Sequence, residues 1–425
     1  MIKSSLMKSI FYRIGFNTAI QILGKGISII LGFITVGLLT RYLGQEGFGN
    51  FTLVFAYLSL FGIIADFGLQ LTMVRELAKK ESLPQSIYGT YFWLKVILVI
   101  FSTLLAIICL LFLPYSRFLK IGIIVASVGV AVGVLNTYGA VIFQANLRLD
   151  LVTAMDVLTK IVTTIFVVLF VFLKSSFYSI LVTILVGNLA GTILIIFLIK
   201  KLITFNLVFN LSLARKLIIQ SFPVGLISVL ALFYFKIDTL ILSIFRGAVE
   251  VGIYGLAYKI IENLLVLWGF YMATLYPLLS NLLSKRKTIE AGGLWRKSLL
   301  ISLGFSATII IIGYIFAPLV IQILGGREFG GSVIALRILL FSVPLFFVNN
   351  LFYHTFLAKN ETRRPLFAIT SSLIFNLILN LIFIPKWGYI AAALNTLITE
   401  GYLLVIYFFI FRNLKVKLSK SCVIS

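Results

Sequence analysis

The sequence predicts an all-α integral membrane protein with twelve transmembrane helices, arranged as two parallel six-helix lobes around a central cavity. Three observations carry this reading: an apolar, charge-poor composition; a series of apolar runs long enough to cross a bilayer; and a short repeat near the middle of the chain. Of 425 residues, 61% are hydrophobic and 12% are charged. A soluble domain is roughly 45–50% apolar and about 25% charged. With a mean hydropathy of +1.14, the composition excludes an ordinary soluble protein, a disordered chain and a disulfide-rich secreted domain.

A helix needs about 20 predominantly apolar residues to cross the hydrocarbon core. Such runs lie at 15–40, 50–72, 88–113, 121–144, 153–173, 178–199, 217–243, 252–280, 298–320, 331–357, 366–384 and 389–411. The first six make an N-terminal lobe, residues 1–212, and the last six a C-terminal lobe, residues 213–425. Runs 217–243 and 252–280 are long and contain Pro223 and Pro277, so a kink or an extension beyond the bilayer is expected there. The first run follows positive charges, but it is too long for a signal-peptide core and lacks a small-residue cleavage site. It is expected to stay in the protein.

The charge is lopsided: 36 Lys+Arg against 13 Asp+Glu, a formal +23. In a soluble chain this would suggest nucleic-acid binding. In a membrane protein, basic residues mark the cytoplasmic loops. Lys3, Lys8 and Arg13, then Arg75, Lys79 and Lys80, Arg148, Lys200, Lys201, Arg215 and Lys216 fall on alternate connecting segments. So do Lys285, Arg286, Lys287, Arg296 and Lys297, then Lys359, Arg363 and Arg364, and Arg412, Lys415, Lys417 and Lys420 in the tail. The opposite segments hold Arg41, Arg117, Lys120, Lys174, Arg246, Arg327 and Lys386. This bias places both termini in the cytoplasm and leaves no nucleic-acid partner to invoke.

The outer loops are about ten residues or fewer, too short for a folded external domain. Their carboxylates are Glu46, Glu250 and Glu328, which weighs against a membrane polysaccharide polymerase or glycosyltransferase. Cys109, Cys422 and the single His354 offer neither a disulfide framework nor a metal site. No catalytic residue and no metal ligand is assigned.

Two turns look alike. Leu43-Gly44-Gln45-Glu46-Gly47-Phe48-Gly49-Asn50-Phe51 follows the first run, and Arg246-Gly247-Ala248-Val249-Glu250-Val251-Gly252-Ile253-Tyr254 follows the seventh. At one constant offset, Gly44 aligns with Gly247, Gly49 with Gly252 and Phe51 with Tyr254. A third turn, Leu324-Gly325-Gly326-Arg327-Glu328-Phe329-Gly330, has similar composition. The offset is about half the chain, as in transporters built from parallel repeats.

Charges inside the runs are the candidate functional residues, because a charged group at mid-bilayer costs at least about 2.5–3.5 kcal/mol on insertion scales. The basic ones are Lys25, Lys95, Lys160, Lys236, Lys259 and Arg337; the acidic ones are Asp66, Asp156, Asp238, Glu262 and Glu400. Lys95 and Lys160 lie within snorkelling reach of an interface. Lys25 sits between Gly24 and Gly26, beside a small face made by Gly24, Ser28 and Gly32 that suits close packing. Lys236 and Asp238 project in different directions, whereas Lys259 and Glu262 share a helix face and can pair. Lys25, Lys236 and Lys259, with Arg41 at the outer turn, are the candidate contacts for an anionic, phosphate-bearing head group. Asp66, Asp238 and Glu262 are the candidates for ion coupling or gating.

The chain resembles the Wzx-type polysaccharide-biosynthesis flippases (O-antigen and exopolysaccharide) of the multidrug/oligosaccharidyl-lipid/polysaccharide exporter superfamily. The resemblance is carried by Arg41-Tyr42-Leu43-Gly44-Gln45-Glu46-Gly47-Phe48-Gly49, Asp66-Phe67-Gly68-Leu69 and Arg75-Glu76. It continues in Ile237-Asp238, in Gly252-Ile253-Tyr254-Gly255-Leu256-Ala257-Tyr258-Lys259, and in Asn380-Leu381-Ile382-Phe383-Ile384-Pro385-Lys386-Trp387-Gly388-Tyr389-Ile390-Ala391-Ala392-Ala393. It implies a transporter that moves an undecaprenyl-pyrophosphate-linked oligosaccharide from the inner to the outer leaflet of the cytoplasmic membrane by alternating access. It also implies no covalent chemistry, no cofactor beyond Na⁺ or H⁺ as a coupling ion, and work beside a polysaccharide polymerase and chain-length machinery. No P-loop occurs, so ATP hydrolysis is not expected of this chain. Three other readings compete: a multidrug or small-solute exporter of the same superfamily, a membrane polymerase or glycosyltransferase, and a lipid scramblase or structural partner.

Overall fold

The computed structural model describes residues 2–77, 86–203, 208–359, 361 and 363–413. Lys79, Lys80, Lys415, Lys417, Lys420 and Cys422 lie outside the described residues, as do the side chains of Lys3, Lys8 and Arg13. What is described is helical apart from short turns. The helices are α1 (Ile2–Asp66), α2 (Leu69–Leu77), α3 (Ile87–Leu111), α4 (Arg117–Ala145), α5 (Leu149–Phe172), α6 (Phe177–Ile199), α7 (Leu211–Ser284), α8 (Thr288–Gly325), α9 (Gly330–Leu340), α10 (Val343–Ala358) and α11 (Arg363–Asn413). A single 3₁₀ turn, Arg327–Phe329, precedes α9. Among the described residues, eight helices are long and apolar enough to cross a membrane. The protein is therefore an all-α, multi-pass membrane protein.

Three of the long helices are broken at a glycine. Gly44 in α1 has φ 65° and ψ −173°; Gly247 in α7 has φ 81° and ψ −175°; Gly388 in α11 has φ 57° and ψ −133°. Gly326, which ends α8, takes the same form at φ 76° and ψ −171°. This region of backbone space is open essentially to glycine alone, because a Cβ there collides with the backbone. Each break falls where the sequence places an outer turn. The aligned pair Gly44 and Gly247 share one backbone conformation, so the repeat is structural as well as textual. The dihedrals in α7 leave the helical range at Gly247, in the turn between the two long runs, and stay helical at Pro223 and Pro277.

The links between α3 and α4 and between α5 and α6 are also built locally. Ser116 and Ser176 stand in extended conformation before α4 and α6, and each hydroxyl accepts a hydrogen bond from the first turn of its helix, which satisfies an otherwise orphaned N–H. Residues 112–116 join α3 to α4 and 173–176 join α5 to α6, short as expected.

The chain divides into two compact units. The first holds residues 1–43 and 54–232. Its core gathers Met73, Tyr91, Val141, Phe143 and Ile195, and α4 packs on α6 through small residues and amides. Asn136 Nδ2 donates to the Asn188 carbonyl at 2.8 Å, Asn188 Nδ2 to the Gly129 carbonyl at 2.9 Å, and Thr192 Oγ1 to Asn136 Oδ1 at 2.7 Å. Gly24 packs against Thr153, but Gly32 faces open space. The small face expected along Gly24, Ser28 and Gly32 is thus packed at Gly24 and open at Gly32, while Thr35 meets Thr164 of α5 further along, with the two hydroxyl oxygens 3.0 Å apart.

The second unit holds residues 44–53 and 233–425. Its core includes Val348, Phe352, Phe356, Ala368 and Tyr407 with Trp295 packed against them. The segment after Gly44 lies directly on the segment after Gly247. A Cβ on Gly49 would stand 2.9 Å from the Gly252 nitrogen, and one on Gly252 would stand 3.1 Å from the Gly49 nitrogen. Phe48 caps this crossing by packing edge-on to Phe329, with ring centroids 6.0 Å apart.

Candidate functional site

In the first unit, α1 ends at Asp66 because Phe67 and Gly68 follow with φ 39° and 74°. The turn is wedged against α7: a Cβ on Gly68 would be 2.7 Å from the Gly225 nitrogen, and one on Gly225 would be 2.6 Å from the Phe67 carbonyl oxygen. This aims the Asp66 carboxylate at Lys95, whose Nζ donates to Oδ1 at 2.5 Å. Lys95 is fully buried, with its side chain 0% exposed, and Asp66 is 18% exposed. Lys95 therefore does not snorkel. A carboxylate within reach offers the ammonium a partner at lower cost than threading the stem through packed helices to the interface.

Lys25 is exposed on α1, and Lys160 is exposed on α5. Both lie close enough to Asp156 to feel its charge. Arg41 is exposed just before the Gly44 break.

In the second unit the candidates converge. Lys236 Nζ donates to Glu262 Oε1 at 2.5 Å, and Lys259 Nζ donates to Oε2 of the same carboxylate at 2.9 Å. Two ammonium groups share one carboxylate, so the cluster retains a net positive charge. Lys236 also sits over the Tyr258 ring, 5.7 Å from its centroid, where the ring quadrupole favours a cation. The Lys259–Glu262 contact is the i, i+3 pairing expected from spacing; Lys236 joining it is a tertiary contact.

Asp238 lies two residues beyond Lys236 and points elsewhere, as expected. It is buried, and its Oδ2 accepts from the Tyr254 hydroxyl. Its Oδ1 accepts from the Thr239 backbone N–H at 2.6 Å. Thr396 Oγ1 stands 3.4 Å from the Tyr254 oxygen.

A further buried network gathers around Glu400, an acid inside the last run with no role assigned from the sequence. Glu400 is 1% exposed. Its Oε1 accepts from the Tyr234 hydroxyl at 2.5 Å and its Oε2 from Asn349 Nδ2 at 2.8 Å. Along the two arms of α11, Asn395 Nδ2 donates to Asn380 Oδ1 at 2.9 Å, Asn380 Nδ2 to Asn376 Oδ1 at 2.8 Å, and Asn376 Nδ2 to Thr399 Oγ1 at 3.1 Å. The available signal was three asparagines inside apolar runs. A polar amide at membrane depth needs a partner, and these find one another.

Among the described residues no group of three or more His, Cys, Asp or Glu side chains gathers as a metal site. The chemistry present is that of binding: a cationic pair able to receive an anion, and buried carboxylates held by hydroxyls and amides.

Comparison with known proteins agrees with this architecture. The pattern defining the polysaccharide biosynthesis protein family matches residues 14–283, and the MatE pattern matches residues 223–382. The capsular polysaccharide biosynthesis protein CapF of Staphylococcus aureus is 25% identical over 205 residues, covering 47% of this chain and 50% of that protein. The chain thus spans about half the length of this curated relative. Among solved structures, the lipid II flippase MurJ in an inward closed conformation superposes with a TM-score of 0.75 at 16% identity, over 92% of this chain and 87% of MurJ. An inward-facing multidrug resistance MATE transporter superposes with a TM-score of 0.77 at 14% identity, over 95% and 99% of the two chains. Sequence and fold together define a multi-pass membrane protein with the fold of these transporters. The chain belongs to the polysaccharide biosynthesis protein family, and it shares its fold with the lipid II flippase MurJ and with MATE transporters.

Proposed function

We propose that the protein is a flippase that moves undecaprenyl-pyrophosphate-linked oligosaccharide repeat units from the inner to the outer leaflet of the cytoplasmic membrane, for synthesis of a cell-surface polysaccharide. The observation that carries the proposal is the pair Lys236 and Lys259 on the single carboxylate of Glu262. A pyrophosphate cannot cross hydrocarbon unaided, and a cationic cluster with one unneutralised charge replaces part of its water shell. Lys25 and Arg41 are the further anion contacts. Support also comes from the family match and from a relative named for capsular polysaccharide biosynthesis.

In this reading residues 1–212 and 213–425 form two lobes that work by alternating access, and both termini are cytoplasmic. A Na⁺ or H⁺ gradient drives the cycle through Asp238, with Glu262 and Asp66 as the other acidic participants. Asp238 suits the part: it is buried, and hydroxyl and amide donors hold it in place of a lysine. A cation arriving at it would bias one conformation over another. A polysaccharide polymerase with its chain-length machinery is the partner that would consume the product.

The test is reconstitution into liposomes with a fluorescent polyprenyl-pyrophosphate oligosaccharide, scoring how much label becomes accessible on the far side. Gradient-dependent movement that falls at least about tenfold in a Lys25→Gln, Lys236→Gln, Lys259→Gln variant is expected. Undiminished movement in that variant would remove the lysines from the mechanism. Unaltered Na⁺ and pH dependence in Asp66→Asn, Asp238→Asn would remove the acids. A second reading, a multidrug exporter, draws on the MatE match over residues 223–382. Efflux of a cationic dye with no movement of the lipid would favour it, although the excess positive charge at Lys236 and Lys259 argues the other way.

A further inference from the structure

The first unit contains a crevice of about 390 Å³ between α3, α4 and α6. Its lining is almost wholly apolar, with Phe92, Tyr138, Ile195 and Ile196 among the walls and Lys200 at one end. Lys200 is exposed at the C-terminus of α6, and Lys201, also exposed, follows it. From Lys200 back along α6 to Thr192, which also lines the crevice, is about 12 Å at roughly 1.5 Å per residue. Lys95 on α3 and Asn136 on α4 line the crevice at matching depth from their helix ends. Among the described residues no acidic side chain lines it, and the charge of Lys95 is already taken by Asp66. The crevice therefore has a dry apolar interior with uncompensated positive charge at one end, the end marked as cytoplasmic by its basic loop.

We infer that this crevice is a binding site for an anionic phospholipid of the inner leaflet, one acyl chain lying along α6 and the phosphate resting on Lys200 and Lys201. Water is a poor occupant, because Asn136 and Thr192 already bond to each other and leave it few partners. A hydrocarbon chain is a good one, since it removes the walls from contact with any polar medium. The basic end selects the head group, as basic pockets between transmembrane helices on the cytoplasmic side do for anionic lipids. The reach of about 12 Å matches the upper part of one acyl chain and is far short of a polyprenyl tail. The inference rests on the membrane fold and not on the flippase reading.

The test is native mass spectrometry of the purified full-length protein in detergent, titrated separately with phosphatidylglycerol and phosphatidylcholine of identical chains. The expected result is a preference of at least about fivefold for phosphatidylglycerol. It should collapse toward equality in Lys200→Gln, Lys201→Gln, whose exposed side chains can change without loss of folding. Ile196→Trp, which fills the crevice from its exposed side, should lower binding of both lipids about fivefold. Equal binding of the two lipids by the wild type, or a preference untouched by all these changes, would overturn the proposal. So would displacement of phosphatidylglycerol by an equal concentration of undecaprenyl phosphate, which would assign the crevice to an isoprenoid chain.

Discussion

Gly49 and Gly252 occupy each other's surface. The nitrogen of each stands about where the other's missing Cβ would press, 2.9 Å in one direction and 3.1 Å in the other. The second close neighbours follow the same exchange: Ala248 meets Gly49, and Gln45, its counterpart in the repeat, meets Gly252. A reciprocal contact of this kind is the signature of a local two-fold, here between two segments of one chain.

A methyl group at either glycine has to push two backbones apart. Gly49→Ala and Gly252→Ala should each destabilise the protein by about 1–3 kcal/mol, the usual range for overpacking. Thermal unfolding in detergent would show this as a lowered midpoint. Gly26→Ala is the control, since a Cβ there meets nothing within 4 Å, and its midpoint should stay within error of wild type.

Gly247 separates conformation from space. A Cβ at this position also meets nothing within 4 Å, yet φ is 81°. Gly247→Ala should therefore cost about 1–3 kcal/mol from backbone strain alone. An unchanged unfolding midpoint would mean that the break can relax without glycine.

The Lys95–Asp66 pair should behave as a unit. Lys95→Met leaves a carboxylate without its buried cation, and Asp66→Leu leaves a buried ammonium without an acceptor, so each should cost about 3–5 kcal/mol. The double variant Lys95→Met, Asp66→Leu should recover much of that loss. A double-mutant cycle by thermal unfolding measures the coupling, and strict additivity would show that the pair does not interact in the membrane.

Glu400 offers a graded comparison. Glu400→Gln keeps an oxygen for Asn349 Nδ2 and turns its NH2 toward the Tyr234 hydroxyl, which can accept instead of donate, so the unfolding midpoint should move little. Glu400→Ala strands both donors in a buried site and should cost about 1–3 kcal/mol. Equal effects of the two substitutions would contradict the hydrogen-bonded role.

Which parts of this were legible in advance follows from the range of the physics involved. Gly44 and Gly247 could be aligned from text because the backbone form they share accepts no other residue. Lys259 and Glu262 could be paired because helical spacing alone brings them together. Lys95 was misplaced because depth along a helix says nothing of a partner folded in from α1. Lys236 was known to point away from Asp238, but its partner on a later stretch of α7 is set by packing. The asparagines of α11 and the partners of Glu400 went unread because their meaning lies in which helix arms face each other, and period and composition are silent on that.

The burial of Lys95 bears finally on how the chain enters the bilayer. A lysine inside a lone segment opposes insertion, by up to about 2.5–3.5 kcal/mol when it is central, yet the carboxylate partner of Lys95 lies only 29 residues upstream. The segment carrying Asp66 is made first, so insertion of the two as a hairpin with the charges already joined would avoid that cost. Asp66→Leu should accordingly reduce the fraction of newly made chains that integrate, as scored by protease protection during synthesis, as well as weakening the finished protein.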